Sequence, residues 1–379
     1  MTRKLCVFPN DPIKSYFTKG EIKTRYFNPM DLFDEVHVIS FTDKEIEEES
    51  VREIAGKGLL KIHCTGIINL TNMKKKKNHI VELVRKINPD IIRAYNPLVQ
   101  GWIATHCSKE LGLPLVISLH GEYDRFRNMI RKQNFIQYLK LLYTSRFIEP
   151  FVIKNADIVI CVYKVILPYA KKMGAKRIEL IYNRIDLTKF KPASKFEKDK
   201  PLILSVGRLI KQKNHEIIIH AMQNLDAKLF IIGDGNDYER LVDLIKNLNL
   251  QEKISFKKAV PNSEIYKYYQ DADLFALAMR TDLESLPIPV LEAMASGLPI
   301  VIPKPHSQEL SDDLGDGVVL VENNPTSFHK AFQDILGNKK MREDLSKKVT
   351  KKIEEFDGRK MEERECKLYE ELMQFRPSK

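Results

Sequence analysis

Two glutamates, Glu284 and Glu292, bracket the stretch ESLPIPVLEAMASGLP at 284–299. A short apolar run ends near Ala278, and the spacing after it predicts a helix from about 287 to 296. Pro287 suits the first helical turn, because its φ is fixed and it has no N–H to lose. Gly297 suits the exit. Ser285, Leu286, Pro287 and Ile288 would then form a helix N-terminus, a ready site for a diphosphate. Glu292, more than a turn further in, can accept hydrogen bonds from a vicinal diol. Glu284 stands at the mouth, where a sugar attached to that diphosphate would lie. An isolated pair of this kind also fits a plainer role, with Glu284 favouring the helix dipole and Glu292 solvated.

A second cluster, SVGRLIKQKNH at 205–215, follows an apolar run at 202–206. Gly207 lets the backbone turn closely. Arg208 at the strand end and Lys213 one loop away could converge on one anion, such as a diphosphate leaving group that gains charge as its bond to a sugar breaks. Two solvated basic residues in a loop are the alternative. Gly233 and Gly235 follow the run FII in a strand–turn–helix pattern that lacks the third glycine of a dinucleotide loop, so alone they read as turn chemistry. In the first half, the run at 115–119 ends in His120, Gly121 and Glu122. A histidine at the carboxyl end of a parallel strand is placed to touch substrate, or to be satisfied by backbone. Residues 125–147 interleave Arg125, Arg127, Arg131, Lys132, Lys140 and Arg146 with Phe126, Ile130, Phe135, Ile136, Tyr138, Leu141, Leu142 and Phe147. This is either a basic amphipathic helix for an anionic membrane surface or a core-facing helix with a charged outer side. The lysine run 74–77 reads as a solvated loop.

These residues need strand ends to hold them. Thirteen short runs rich in Val and Ile alternate with longer amphipathic segments. They are 5–8, 36–40, 61–64, 90–95, 115–119, 158–162 and 179–182, then 202–206, 228–232, 254–256, 274–278, 299–302 and 318–321. The alternation predicts parallel α/β sheets covered by helices on both faces. A polar stretch at 190–201, KPASKFEKDKP in its linker portion, divides the runs into two sets. The expected architecture is two facing Rossmann-like doubly wound domains with a cleft between them, residues 1–190 and 191–359, with a C-terminal helix at 360–379 returning to the first. Parallel sheets bind ligands outside the carboxyl ends of their strands, so the chemistry belongs there.

Charge is unevenly spread. The net charge is +11, but residues 1–200 carry 36 Lys and Arg against 22 Asp and Glu, and the remainder 26 against 29. A basic first half suits an anionic partner, unless it reflects only a Lys-rich composition. The five cysteines are scattered without metal-ligand spacing and read as reduced thiols of a cytoplasmic protein. The sequence holds no stretch of eighteen apolar residues and no signal-peptide core. A single Trp and no base-stacking module argue against a nucleic-acid partner.

Taken together, the ordered elements Gly207-Arg208 with Lys213, Gly233-Asp-Gly235, and Glu284 with Glu292 resemble glycosyltransferase family 4, retaining enzymes of the GT-B fold. The resemblance spans most of residues 110–375, and the runs ADIVI at 156–160 and IYNRID at 181–186 look like that family's domain junction. It implies a nucleotide-diphosphate sugar as donor, with Arg208 and Lys213 on the diphosphate and Glu292 on the ribose hydroxyls. Glu284 would contact the donor sugar, and His120 would lie near the anomeric centre. It further implies retention without a dedicated enzymatic nucleophile, metal or cofactor. Three departures are visible. Arg184 replaces a glycine common in the family, Pro287 removes an amide, and the first-domain glycine-rich loop is reduced to Gly20 within 10–25. Gly20, Glu122 and Arg184 are the acceptor-side candidates. The leading expectation is transfer of a hexosyl or N-acetylhexosaminyl group to a glycan or lipid-linked hydroxyl acceptor, at the cytoplasmic face of a membrane. A nucleotide-sugar epimerase and a non-catalytic sugar-nucleotide binder are the rivals.

Overall fold

A computed structural model of the chain describes residues 2–192, 200–258, 260–281 and 285–374. Glu284 lies outside the described residues. The chain divides into two compact units, 1–182 with 359–379, and 183–358. The expected junction at 190/191 falls a few residues beyond the first of these divisions.

In the first unit, seven parallel strands are β1 (Lys4–Phe8), β2 (Glu35–Ser40), β3 (Leu59–Cys64), β4 (Ile91–Ala94), β5 (Leu115–Leu119), β6 (Ile158–Cys161) and β7 (Ile178–Leu180). They lie in the order β3-β2-β1-β4-β5-β6-β7. In the second unit, six are β8 (Leu202–Val206), β9 (Lys228–Ile232), β10 (Ile254–Lys257), β11 (Leu274–Ala276), β12 (Ile300–Pro303) and β13 (Val318–Val321). Their order is β10-β9-β8-β11-β12-β13. Each expected apolar run becomes one of these strands. The central strands β5, β6 and β12 are buried along their whole length, as helices on both faces require, whereas the edge strands β3, β7, β10 and β13 are partly open. Both sheets reverse direction beside their first strand, β1/β4 in one and β8/β11 in the other, and these are the switch points where α/β sheets take ligands. The fold is thus of the doubly wound, two-domain kind.

The C-terminal helix Gly358–Gln374 belongs, from Arg359 onward, to the first unit. Its Glu365 pairs with Arg93 of β4 at 3.2 Å, both almost fully buried, and Tyr369 donates to Glu365 at 2.6 Å. Glu362 meets Arg25 at 3.1 Å.

Two local expectations are corrected. Residues 74–77 are not a loop but the start of the helix Met73–Ile87. Four lysines at a helix N-terminus oppose the dipole. The stripe of Met73, Ile80, Val81, Val84 and Ile87 buried on one face outweighs that cost. The basic segment 125–147 is not one helix. It runs as Tyr123–Gln133, breaks at Asn134, whose side chain caps the next helix Phe135–Tyr143, and continues through a π turn, Thr144–Ile148. The helix Phe135–Tyr143 buries none of its residues, so it does not face a core. Of the five free cysteines, Cys6, Cys107 and Cys161 are buried, Cys64 is exposed and Cys366 is intermediate.

Candidate active site

In the second unit, three of the motifs follow the strands β8, β9 and β11. Gly207 follows β8, and its N–H donates to the Ile232 carbonyl at 3.0 Å. The Lys213 stem crosses over Gly207, its Cδ and Cε 3.5 and 3.6 Å from where a Cβ would stand, with Leu277 at 3.7 Å. Lys213 ends a 3-10 turn, Lys211–Lys213, and is only 6% exposed, whereas Arg208 beside Gly207 is open to solvent. The two cations therefore differ in kind, one held in the wall and one able to swing onto a ligand.

Gly233 and Gly235 do more than turn the chain. A Cβ on Gly233 would overlap the Gly207 carbonyl oxygen, and one on Gly235 the Leu209 carbonyl oxygen. Leu209 N–H donates to Asp234 O at 2.8 Å, and Asp237 N–H to Leu209 O at 2.9 Å. The post-β9 turn thus moulds the loop that carries Arg208. Beside it lies a cavity of about 320 Å³ lined by Gly233, Asp234, Gly235, Asn236, Tyr238, Glu239 and Lys258.

The stretch after β11 is clamped from three sides. Arg280 N–H donates to Gln212 O at 2.9 Å, His306 Nδ1 meets Thr281 O at 2.9 Å, and Asn323 Nδ2 reaches the carbonyls of Ala278 and Met279 at 3.4 Å. Beyond residues 282–284, Ser285 and Leu286 lead into the helix Ile288–Ala295. Pro287 is its capping residue rather than its first helical one, and Pro289 occupies its first turn. Two prolines leave this N-terminus fewer N–H groups than the four of an ordinary helix. Side-chain cations must then supply more of the attraction for an anion. Gly297 ends the helix at φ +66°, against Pro192 and Ser346.

Glu292 is 5% exposed and not a solvated helical residue. Tyr269, fully buried between Phe190 and Phe275, donates its hydroxyl to Glu292 Oε2 at 2.8 Å. Burial and the neighbouring Glu292 carboxylate raise the Tyr269 pKa, so the phenol stays a donor. Behind Gly207, buried His215 meets Ser205 Oγ through Nδ1 at 3.3 Å. Burial, reinforced by the Lys213 charge, depresses its imidazole to about 4, which keeps it neutral beside a cation. The roles of Tyr269 and His215 carry no sequence signal of their own. Each follows from which strand its element packs on.

In the first unit, His120 caps β5, with its ring stacked on Tyr95 at 5.6 Å, and Arg93 lies over the other ring of that pair at 5.0 Å. The residue is exposed to solvent, yet the dense protein around the imidazole, with the Arg93 charge, lowers its pKa to about 4. Glu122 is the residue preceding the helix Tyr123–Gln133. Gly20 is not at a strand end. It follows the short helix Ile13–Thr18 at φ +68°, and β1 passes into that helix without glycine. Arg184 falls in the second unit, next to the bridge of Ile185 with Asp357 where the incoming and outgoing chain segments pair.

Two family models match in succession. Residues 32–189 match Glycosyltransferase Family 4, and residues 186–352 match Glycosyl transferases group 1. The chain belongs to glycosyltransferase family 4. Among relatives of this glycosyltransferase, the Campylobacter jejuni N-acetylgalactosamine-N,N'-diacetylbacillosaminyl-diphospho-undecaprenol 4-alpha-N-acetylgalactosaminyltransferase is 33% identical over 192 residues, covering 49% of this chain and 51% of the relative. The matched stretch is thus about half of that relative's length. An uncharacterised glycosyltransferase of Methanocaldococcus jannaschii is 24% identical over 81% of this chain and 82% of its own. Anabaena HepE, solved with UDP and glucose, superposes with a TM-score of 0.73 at 15% identity, covering 98% of this chain and all of HepE. That likeness identifies the fold as GT-B.

Proposed function

We propose that this glycosyltransferase moves a hexosyl or N-acetylhexosaminyl group from a nucleoside diphosphate sugar to a hydroxyl of a lipid-linked glycan, with retention of configuration. The observation that supports the reading is the buried Lys213 lying against Gly207 at the end of β8, beside solvent-exposed Arg208, with Glu292 buried and held by Tyr269 on the helix that follows β11. Arg208 and Lys213 hold the donor diphosphate and neutralise it as it leaves. Glu292 accepts from the ribose diol. The cavity beside Gly233 and Lys258 has the size and polarity to take the base. Glu284 contacts the sugar.

In the step itself, the acceptor oxygen bonds to the anomeric carbon on the face the phosphate leaves. The carbon–oxygen bond to phosphate breaks, its electron pair stays on the diphosphate, and the acceptor proton passes to the departing phosphate oxygen. His120, neutral at pH 7, and Glu122 are assigned to the acceptor side. The Campylobacter relative acts on a diphospho-undecaprenol saccharide, which favours a lipid diphosphate acceptor here.

The test is turnover with UDP-, GDP- and ADP-hexoses, with and without a polyprenyl-diphosphate saccharide. The reading requires nucleoside diphosphate release that depends on acceptor, with the donor's anomeric configuration kept in the product. Donor conversion without acceptor would instead identify an epimerase, and donor binding without any transfer a binding protein.

A further inference from the structure

We propose that Glu45 is a positioning residue for the acceptor: its carboxylate fixes the segment that follows β1, and through it the aromatic ladder that ends on His120. The helix Ile13–Thr18 is preceded by Pro12, which has no side-chain oxygen to cap it. The cap comes instead from Glu45, 32 residues beyond Ile13 and past the end of β2. Its Oε1 accepts from the Ile13 N–H at 2.8 Å and from the buried Ser40 hydroxyl at 2.5 Å. Its Oε2 accepts from the Lys14 N–H at 2.7 Å and, more weakly, from the Ile46 N–H at 3.4 Å. Both oxygens are engaged by the fold, so this carboxylate is a strut and not a ligand for substrate.

The segment it holds lies at the switch point of the first sheet, between β1 and β4. Asn10 Oδ1 accepts from Asn96 Nδ2 at 3.0 Å, and Asn10 O from Gln100 Nε2 at 3.1 Å, so the loop is also tied to the chain leaving β4. The helix Ile13–Thr18 carries Tyr16, whose ring lies 5.8 Å from that of Tyr26. Tyr26 stacks on Tyr95 at 6.0 Å, and Tyr95 on His120 at 5.6 Å, their planes 19° and 24° apart. Contacts are therefore continuous from the Glu45 carboxylate to the His120 imidazole.

The loop itself has little freedom. No glycine precedes Gly20 in the chain, and Pro9 and Pro12 stiffen the stretch between β1 and the helix. A stiff loop clamped by one carboxylate takes its place from that carboxylate. The assignment of Glu45 rests on the placing of His120 at the acceptor side.

In the full chain, Glu45→Ala should speed amide exchange over Ile13–Thr18 at least about tenfold. The His120 titration, followed by NMR, should move upward from about 4 toward its ordinary value as the ladder loosens and water reaches the ring. With a polyprenyl-diphosphate saccharide as acceptor, the acceptor KM should rise at least about tenfold and the donor KM stay at its wild-type value. A general loss of stability would not separate the two constants. Glu45→Gln keeps the side-chain volume and the Oε1 acceptor but faces the Lys14 N–H with a donor. It should fall between wild type and Glu45→Ala in each readout, and it carries the same test if the alanine variant does not fold. Wild-type exchange over Ile13–Thr18, an unmoved His120 titration, or equal changes in both KM values would overturn the proposal. A wild type that releases no nucleoside diphosphate with acceptor would contradict the transferase reading instead, a failure visible without any Glu45 variant.

Discussion

At the scale of single residues, the division between a buried and an exposed cation makes separable predictions. Arg208 is open to solvent, so Arg208→Ala should lower kcat/KM by about 10²–10³-fold while the melting temperature stays at its wild-type value; steady-state kinetics and calorimetry on one preparation check both. Tyr269→Phe keeps the packing against Phe190 and Phe275 but leaves the buried Glu292 oxygen without its donor. Denaturant unfolding should show a loss of about 1–3 kcal/mol, and the donor KM should rise more than kcat falls. His215 gives a pH dependence. Its imidazole sits near 4 in the folded protein against about 6.5 unfolded, so the unfolded chain binds the extra proton. The resulting stability is complete above pH 6.5 and is lost as pH falls toward 4, by up to about 3 kcal/mol. His215→Gln should flatten that part of the pH–stability curve, and an unchanged slope would refute the assignment. Arg208, Lys213 and Glu292 were legible as site candidates because each follows a recognisable strand end. The burial of Lys213 and Glu292 was not legible, since it depends on Gly207, Leu277 and Tyr269 arriving from separate segments.

At the scale of elements, close backbone contact governs. A Cβ on Gly233 meets the Gly207 carbonyl, so Gly233→Ala must push the post-β9 turn away from the loop bearing Arg208. The expected cost is about 2–4 kcal/mol with donor binding lost first, readable by denaturant titration and by nucleotide-induced thermal shift. Wild-type stability and donor affinity would show that the two loops move independently. The thirteen strands were legible because strands buried on both faces are continuous apolar runs, as in β5 and β12. Helix ends were less so. The lysines 74–77 carry the polarity of a loop, but the stripe that makes them helical begins at Met73 and is visible only once its packed face is known. Pro287 was legible as a helix start, while the part played by Pro289 depended on where the first turn begins.

At the scale of the whole molecule, the chain completes its first unit only at its end. The buried Arg93 is neutralised by Glu365 of the C-terminal helix, so Glu365→Ala strands a guanidinium in the interior and should cost about 3–5 kcal/mol in denaturant unfolding. Both sheets share the 3-2-1-4-5-6 pattern, to which the first adds β7, a regularity that the alternation of runs implied but could not number. The assignment of donor chemistry to the second unit is reached most directly by titrating UDP, GDP and ADP into the full chain by isothermal calorimetry, beside the Arg208→Ala variant. One of the three should bind with unit stoichiometry, and the variant should bind it at least about tenfold more weakly. Absence of binding by all three, or equal affinity in the variant, would contradict a diphosphate held at Gly207, Arg208 and Lys213.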